Sequence, residues 1–121
     1  MLERNINTPS KQTLDVDEVD AQTAKSWLDD NRAVLIDVRE ADEYQQQNIE
    51  GACLAPLSSF DADAVLGEHE KNKLLIIQCR TGGRSCQAAK YLLAAGGTKI
   101  YNLTGGIEAW KAAGFPVVSG Q

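Results

Sequence analysis

The sequence has 121 residues, a length typical of one domain with a single hydrophobic core, and a formal net charge of −5 at pH 7. This acidic balance argues against nucleic acid and against an anionic membrane surface as binding partners, since both favour a basic protein face. No segment approaches the ~20 apolar residues of a membrane span, and the N-terminus lacks the apolar stretch of a signal peptide.

Residues 1–12 are polar and contain Pro9, so we predict a flexible N-terminal arm ahead of a single domain at residues 13–121. In that domain, apolar runs predict strands and apolar residues at helical spacing predict helices. The predicted strands lie near Leu14 and Val16 and at residues 33–38, 52–54, 74–78 and 100–103. The predicted helices lie at residues 21–29 after the N-cap Asp20, and at 40–47, 58–66, 85–95 and 107–113.

The predicted strands and helices alternate along the chain, and the inner strands are continuous apolar runs. This pattern predicts an α/β fold with a central, mainly parallel sheet and helices on both faces. Functional crevices in such sheets lie beyond the carboxyl ends of the strands. Cys79 follows one of these ends, and Asp37 and Arg39 lie at another. No exposed apolar stripe stands out, so we expect a monomer.

The segment between the fourth strand and the fourth helix is the most informative part of the chain. It consists of Cys79-Arg80-Thr81-Gly82-Gly83-Arg84-Ser85. Gly82 and Gly83 can take positive φ at little cost, so their N–H groups can form an anion-binding nest. A helix that starts near Ser85 adds its positive end, and Ser85 can cap that helix or direct its hydroxyl at the sulfur. We therefore predict a depressed thiol pKa for Cys79.

The two arginines of this segment add positive charge in an otherwise acidic protein. Both Arg80 and Arg84 are candidates to bind an anion held near Cys79. Alternatively, Arg80 is an ordinary surface residue, and Arg84 pairs with a carboxylate such as Glu40 or Glu43.

The other cysteines and the single histidine do not suggest further chemistry. There is no Cys-x-x-Cys pair, and His69 is the sole histidine, which argues against a structural zinc site and a Cys–His hydrolase. Its charged neighbours place His69 on the surface. Cys53 lies in an apolar strand and Cys86 on an apolar helical stripe, so we predict that both are packing residues. Free thiols favour a reducing, cytoplasmic setting.

The loop that starts at Cys79 resembles the Cys-Arg-x-Gly-x-Arg-Ser/Thr loop of the rhodanese family of sulfurtransferases. The resemblance extends from about Leu14 to Val118. It includes Asp37-Val38-Arg39-Glu40 with Glu43-Tyr44, Ile49-Glu50-Gly51-Ala52, Leu103-Thr104-Gly105-Gly106, Trp110 and Gly114-Phe115-Pro116-Val117. Two positions depart from the family pattern, since Asn48 replaces a common histidine and Glu50 replaces proline.

The resemblance implies a rhodanese-like fold and a two-step sulfur transfer. Cys79 would take the outer sulfur of a small anionic donor such as thiosulfate and form a persulfide. A thiol acceptor, either a small thiol or a thioredoxin-like protein, or cyanide in the test tube, would then remove that sulfur. By position, the substrate-binding residues would be Arg80, Thr81, Gly82, Gly83, Arg84 and Ser85. Asp37 and Arg39 would give structural support, and no metal or organic cofactor is implied.

Three other functions use a similar arrangement. Cysteine phosphatases also hold an oxyanion at a loop before a helix, but they have five residues between Cys and Arg, whereas four separate Cys79 from Arg84. A regulatory or binding module would use the fold without turnover, and a carrier in a sulfur relay would use the persulfide alone. The shorter loop favours the sulfurtransferase over a phosphatase, and the intact cysteine and loop favour it over a module without turnover. The sequence does not separate a free-standing enzyme from a relay carrier.

Overall fold

A computed structural model of the chain describes residues 15–69 and 71–120. The predicted arm at residues 1–12 and the predicted strand residue Leu14 lie outside this part. The strands within it are β1 (Asp17–Val19), β2 (Ala33–Asp37), β3 (Cys53–Leu54), β4 (Leu74–Gln78) and β5 (Ile100–Leu103). The α-helices are α1 (Ala21–Asp29), α2 (Ala41–Gln46), α3 (Ala62–Glu68), α4 (Gly83–Ala94) and α5 (Gly106–Ala112).

The five strands form one parallel sheet in the order β1-β5-β4-β2-β3. The sequence of β4 explains its central place, since Ile76 packs into one core cluster while Leu75 and Ile77 pack into the other. The α/β prediction is therefore confirmed, and the segment after β4 leaves the sheet at its middle. No helix of the described residues is both long and apolar enough to cross a membrane.

Helices cover both faces of the sheet. On one face, α1 contributes Ala24, and α5 contributes Ile107 and Trp110, which is 3% exposed. On the other face, α3 contributes Val65, and α4 contributes Ala88, Ala89 and Leu92. The second face also contains Cys79, so the thiol lies beneath α4.

Two predicted elements begin more than two residues away from their observed starts. The first strand begins at Asp17, after the predicted residues. The helix predicted at residues 58–66 is wrong over its first four residues and begins at Ala62, because a 3-10 turn (Leu57–Ser59) is followed by extended backbone at Phe60 and Asp61. The side chain of Asp61 accepts a hydrogen bond from the N–H of Ala64 at 3.1 Å, which makes Asp61 the N-cap of α3.

The prediction that two of the cysteines are packing residues is also wrong. Cys53 is exposed, because β3 is a two-residue strand at the edge of the sheet. Cys86 is half-buried, because α4 turns a neighbouring stripe inward, namely Ser85, Ala88, Ala89 and Leu92. His69 is partly exposed beside a depression of about 410 Å³, which lies at the amino ends of the strands and away from Cys79.

Candidate active site

Cys79 is the first residue after β4 and is 1% exposed. Two hydrogen-bond donors face its sulfur. The N–H of Gly82 lies 3.1 Å from Cys79 Sγ, and Ser85 Oγ lies 3.4 Å from it. Gly82 is the N-cap of α4 and Ser85 lies in its first turn, so the sulfur lies at the carboxyl end of the central strand and at the amino end of a helix.

The turn into α4 depends on one glycine. Gly82 has φ +118°, in the left-handed region, and is the N-cap of α4. Gly83, which could also take positive φ, does not do so and is the first residue of the helix. Of the two roles considered for Ser85, the structure excludes the helix cap, since Ser85 lies in the first helical turn. There its hydroxyl faces the sulfur, while the side chain of Thr81 is exposed.

The surroundings of Cys79 lower the pKa of its thiol. Burial raises this pKa, but hydrogen bonds to the sulfur from the Ser85 hydroxyl and from the N–H groups of Ser85, Gly82 and Thr81 outweigh the burial. The thiolate is the nucleophilic form of cysteine, so this environment favours the reactive species.

The first turn of α5 holds the loop from the other side. The N–H of Ile107 donates to the carbonyl of Cys79 at 2.9 Å, and the N–H of Glu108 donates to the carbonyl of Arg80 at 3.2 Å. Gly106 has φ +59°, and a Cβ there would lie 2.3 Å from the Cys79 carbonyl oxygen. Glycine at this position therefore allows α5 to approach the backbone of the loop.

Arg84 forms a bidentate ion pair with Glu43 of α2. Its Nη1 and Nη2 lie 2.7 Å and 2.9 Å from the two carboxylate oxygens. These bonds are the main reason that the pKa of Glu43 falls from 4.5 to about 2; burial opposes the fall, and the N–H of Glu40 contributes to it. Glu43 in turn raises the pKa of Arg84. The pair couples α2 to the first turn of α4 beside the sulfur.

The Arg80 side chain faces solvent, and 68% of it is exposed. Its Nε lies 3.6 Å from a carboxylate oxygen of Glu108, which is a weak, solvated contact. A small cleft of about 220 Å³ lies between α2 and α5, and Arg80, Glu108 and Glu43 belong to its lining. Charges of both signs therefore border the loop.

Asp37 and Arg39 form a buried ion pair at the end of β2. Arg39 Nη2 lies 2.8 Å from Asp37 Oδ2 and 2.7 Å from the carbonyl oxygen of Gln47, while Arg39 Nε also faces the carboxylate. The Arg39 side chain is 5% exposed and the Asp37 side chain is 0% exposed. Within residues 15–69 and 71–120, no three His, Cys, Asp or Glu side chains converge as metal ligands.

Asn48 stands where the family that the sequence resembles commonly has a histidine. It is buried, and its side chain faces the C-terminal segment. Its Nδ2 donates to the carbonyls of Tyr44 and Gly120 at 2.9 Å and 2.8 Å. Its backbone also pairs with Val118 in an antiparallel bridge. This position therefore ties the C-terminal segment to the end of α2.

Sequence reasoning missed one polar residue of the site. Asn102 of β5 is 4% exposed, and its side chain contacts Ser85, Gly82 and Glu18. A polar residue in an otherwise buried strand, one place before its carboxyl end, is a signal that points to this residue. The sequence offers no comparable signal for Glu18, because β1 is short and exposed.

Comparisons with known proteins identify the family and the fold. A family model described as a rhodanese-like domain matches residues 20–113. A sulfurtransferase of Allochromatium vinosum is 35% identical over 105 residues, which cover 86% of this chain and 96% of that protein.

Two solved structures have the same fold. The thiosulfate sulfurtransferase of Pseudomonas aeruginosa superposes with a TM-score of 0.79 and 27% identity, covering 88% of this chain and 21% of the other. The rhodanese-like domain of an Anabaena protein superposes with a TM-score of 0.74 and 29% identity, covering 84% and 78% respectively.

Proposed function

The chain belongs to the rhodanese-like sulfurtransferase family, and we propose that it moves a sulfane sulfur from thiosulfate or a related donor to a thiol acceptor through a persulfide on Cys79. The observation that carries the proposal is the set of donors around one sulfur atom. The Gly82 N–H and the Ser85 hydroxyl face Cys79 Sγ at 3.1 Å and 3.4 Å, at the amino end of α4. Such an environment stabilises negative charge on sulfur.

In the first step, the Cys79 thiolate attacks the outer sulfur of the donor. With thiosulfate, a sulfur–sulfur bond forms at Cys79 while the bond to the sulfonate sulfur breaks, and sulfite leaves with the electron pair. The outer sulfur keeps its negative charge as the persulfide anion. The N–H groups of Thr81, Gly82 and Ser85, which already lower the thiol pKa, are placed to stabilise that anion.

In the second step, an acceptor thiolate attacks the outer sulfur of the persulfide. The bond to Cys79 breaks, and Cys79 leaves as a thiolate with the electron pair. The acceptor becomes a persulfide, and cyanide in the same role becomes thiocyanate. The donors that favour the thiolate in the free protein also favour it as a leaving group in this step.

The short loop favours this chemistry over that of a cysteine phosphatase. Four residues separate Cys79 from Arg84, and that arginine is held by Glu43. A phosphatase needs its loop arginine to clamp two oxygens of a phosphoryl group, whereas a persulfide presents one charged sulfur to the loop N–H groups.

The turnover assay measures thiocyanate formed from thiosulfate and cyanide. We expect activity in the wild-type chain, none in Cys79→Ser, and retained activity in the matched control Cys53→Ser, whose thiol is exposed at the sheet edge. Hydrolysis of an aryl phosphate is the second readout. Phosphate release that is lost in Cys79→Ser, without thiocyanate formation, would refute the proposal in favour of a phosphatase.

One observation favours a second candidate function, that of a carrier that takes its sulfur from a persulfide rather than from thiosulfate, which is a dianion. The Arg84 charge is engaged by Glu43, so binding thiosulfate there requires that a bidentate pair be broken. Comparing kcat/KM for thiosulfate with kcat/KM for glutathione persulfide separates the two. Glu43→Gln frees Arg84, so if the pair limits donor binding, this variant lowers the KM for thiosulfate and leaves the KM for the persulfide unchanged.

A further inference from the structure

A chain of polar side chains crosses the sheet from its edge to the sulfur. It starts at Glu18 of β1, which pairs in register with Asn102 of β5. Asn102 Nδ2 donates to Glu18 Oε2 at 3.1 Å, Asn102 Oδ1 accepts a short hydrogen bond from the Ser85 hydroxyl, and Ser85 Oγ lies 3.4 Å from Cys79 Sγ. Ser85, Asn102 and Cys79 are all at least nine-tenths buried.

The orientation of the Asn102 amide is determined by its neighbours. Its NH₂ group faces two acceptors, the Glu18 carboxylate and the carbonyl of Gly82 at 3.2 Å. Glu18 is fixed in turn, because its other carboxylate oxygen accepts from Thr104 Oγ1 at 2.8 Å. The amide oxygen of Asn102 must therefore face Ser85 as an acceptor.

Ser85 has one hydroxyl proton and more than one acceptor within reach. Asn102 Oδ1 is much closer to Ser85 Oγ than the sulfur is. A neutral thiol is a weak acceptor, so the proton belongs to Asn102 while Cys79 is protonated. A thiolate is a charged acceptor and forms the stronger bond, so the proton turns to the sulfur once Cys79 ionises.

We propose that Asn102 is a positioning residue that holds the Ser85 proton away from the Cys79 sulfur until that sulfur carries negative charge. Ionisation of Cys79 then leaves Asn102 Oδ1 without its donor. Asn102 therefore opposes ionisation in the resting protein. The same proton returns to the sulfur when Cys79 leaves as a thiolate in the second transfer step, which is how this inference rests on the proposed function.

The rest of the loop does not depend on Asn102. Asn102 contacts the loop backbone at the carbonyl of Gly82, and this carbonyl keeps a donor without Asn102, because it also accepts from the N–H of Cys86 at 3.1 Å, the first intrahelical bond of α4. The charged groups around the loop come from five elements, and they are Glu18 from β1, Arg39 from the end of β2, Glu40 and Glu43 from the start of α2, Glu108 from α5, and Arg80 and Arg84 from the loop and α4. None of these charges is altered by a substitution at position 102.

The test substitutes Asn102→Leu, which keeps the shape of the side chain and removes the acceptor. The rate of Cys79 alkylation by iodoacetamide is followed against pH by peptide mass spectrometry, which separates Cys79 from the other thiols. We expect the midpoint to fall by about half to one pH unit, the value of one neutral hydrogen bond. Alkylation does not require sulfur transfer, so a failure of this proposal can be distinguished from a failure of the proposed function.

Ser85→Ala and the double variant are the matched controls. Ser85→Ala removes a donor from the thiolate, so its alkylation midpoint rises above that of the wild type. In the Ser85→Ala background, Asn102→Leu should shift nothing further, because Asn102 acts through Ser85. A rise with Asn102→Leu alone, or an equal shift in both backgrounds, would show that Asn102 only supports the loop and would overturn the proposal.

A second measurement needs no substitution at Asn102. The side-chain amide signals of Asn102 in the NMR spectrum of the wild-type chain should titrate with the same midpoint as Cys79 alkylation, because its carbonyl loses a donor at that point. The titration should disappear in Ser85→Ala. Amide signals that stay constant through the ionisation of Cys79 in the wild type would contradict the movement of the proton.

Discussion

Replacing Glu43 by glutamine tests the coupling between α2 and the loop. The substitution keeps the side-chain volume and removes the charge that faces Arg84 through two hydrogen bonds of 2.7 Å and 2.9 Å. The hydrogen bonds from Arg84 are the main reason that the Glu43 pKa falls from 4.5 to about 2, against the opposing effect of burial.

The size of the effect follows from that pKa. A fall from 4.5 to about 2 corresponds to roughly 3 kcal/mol at about 1.4 kcal/mol per unit. The two side chains are 31% and 36% exposed, so solvent screening reduces this to about 1–2 kcal/mol of unfolding free energy. The stabilisation is complete above the unfolded pKa of about 4.5 and is lost as pH falls through about 2, because the folded pKa is the lower one.

Thermal unfolding followed by circular dichroism measures the loss. At pH 7 we expect the Tm of Glu43→Gln to fall by roughly 4–8 °C, and the gap from the wild type to narrow as the pH is lowered from 5 towards 2. Asp29→Asn is the matched control, since the Lys25–Asp29 pair is an exposed i, i+4 contact worth about 0.5 kcal/mol or less. A Glu43→Gln loss no larger than that of Asp29→Asn would refute the reasoning.

Four further variants test the fold and the framework of the site by chemical denaturation. Gly106→Ala should destabilise the fold by several kcal/mol, since its Cβ would meet the Cys79 carbonyl at 2.3 Å, whereas Gly114→Ala, also at positive φ but with open space around it, should cost about 1 kcal/mol. Gly67→Ala should stabilise α3 by about 0.5–1 kcal/mol, because the glycine is helical and nothing lies within 4 Å of its Cβ position. A loss of stability in this variant would contradict the assignment of Gly67 to the interior of α3. Asp37→Asn should cost about 3 kcal/mol, because Arg39 stays buried without its counter-ion; a loss under 1 kcal/mol would contradict the role of the pair.

The sheet and most helices could be predicted because each has a strong local pattern. β4 and β5 match their predicted ranges, and Asp20 caps α1 as expected, with its carboxylate 2.8 Å from the N–H of Thr23. The start of the helix predicted at residues 58–66 could not be predicted, because the segment has weak periodicity and the local cap at Asp61 decides where α3 begins.

The position of the site could be predicted from the sequence, but the hydrogen bonds and ion pairs within it could not. The sequence indicates that Cys79 follows a buried strand, yet which of two glycines takes positive φ depends on where α4 begins. The sequence left both Glu40 and Glu43 as possible partners of Arg84. In the structure Glu40 is the N-cap of α2, and Glu43, three residues later, contacts Arg84. The role of Asn102 depends on strand order, which places β5 beside β4 and is not encoded in any single segment.

The central claim is that Cys79 accepts a sulfur atom and gives it up again. Intact-mass analysis of the full chain after mixing with thiosulfate measures this directly. We predict one added sulfur per chain, removed by a thiol and absent in Cys79→Ser, while Cys53→Ser still gains it. A wild-type chain that acquires no sulfur from thiosulfate, mercaptopyruvate or glutathione persulfide would contradict the account.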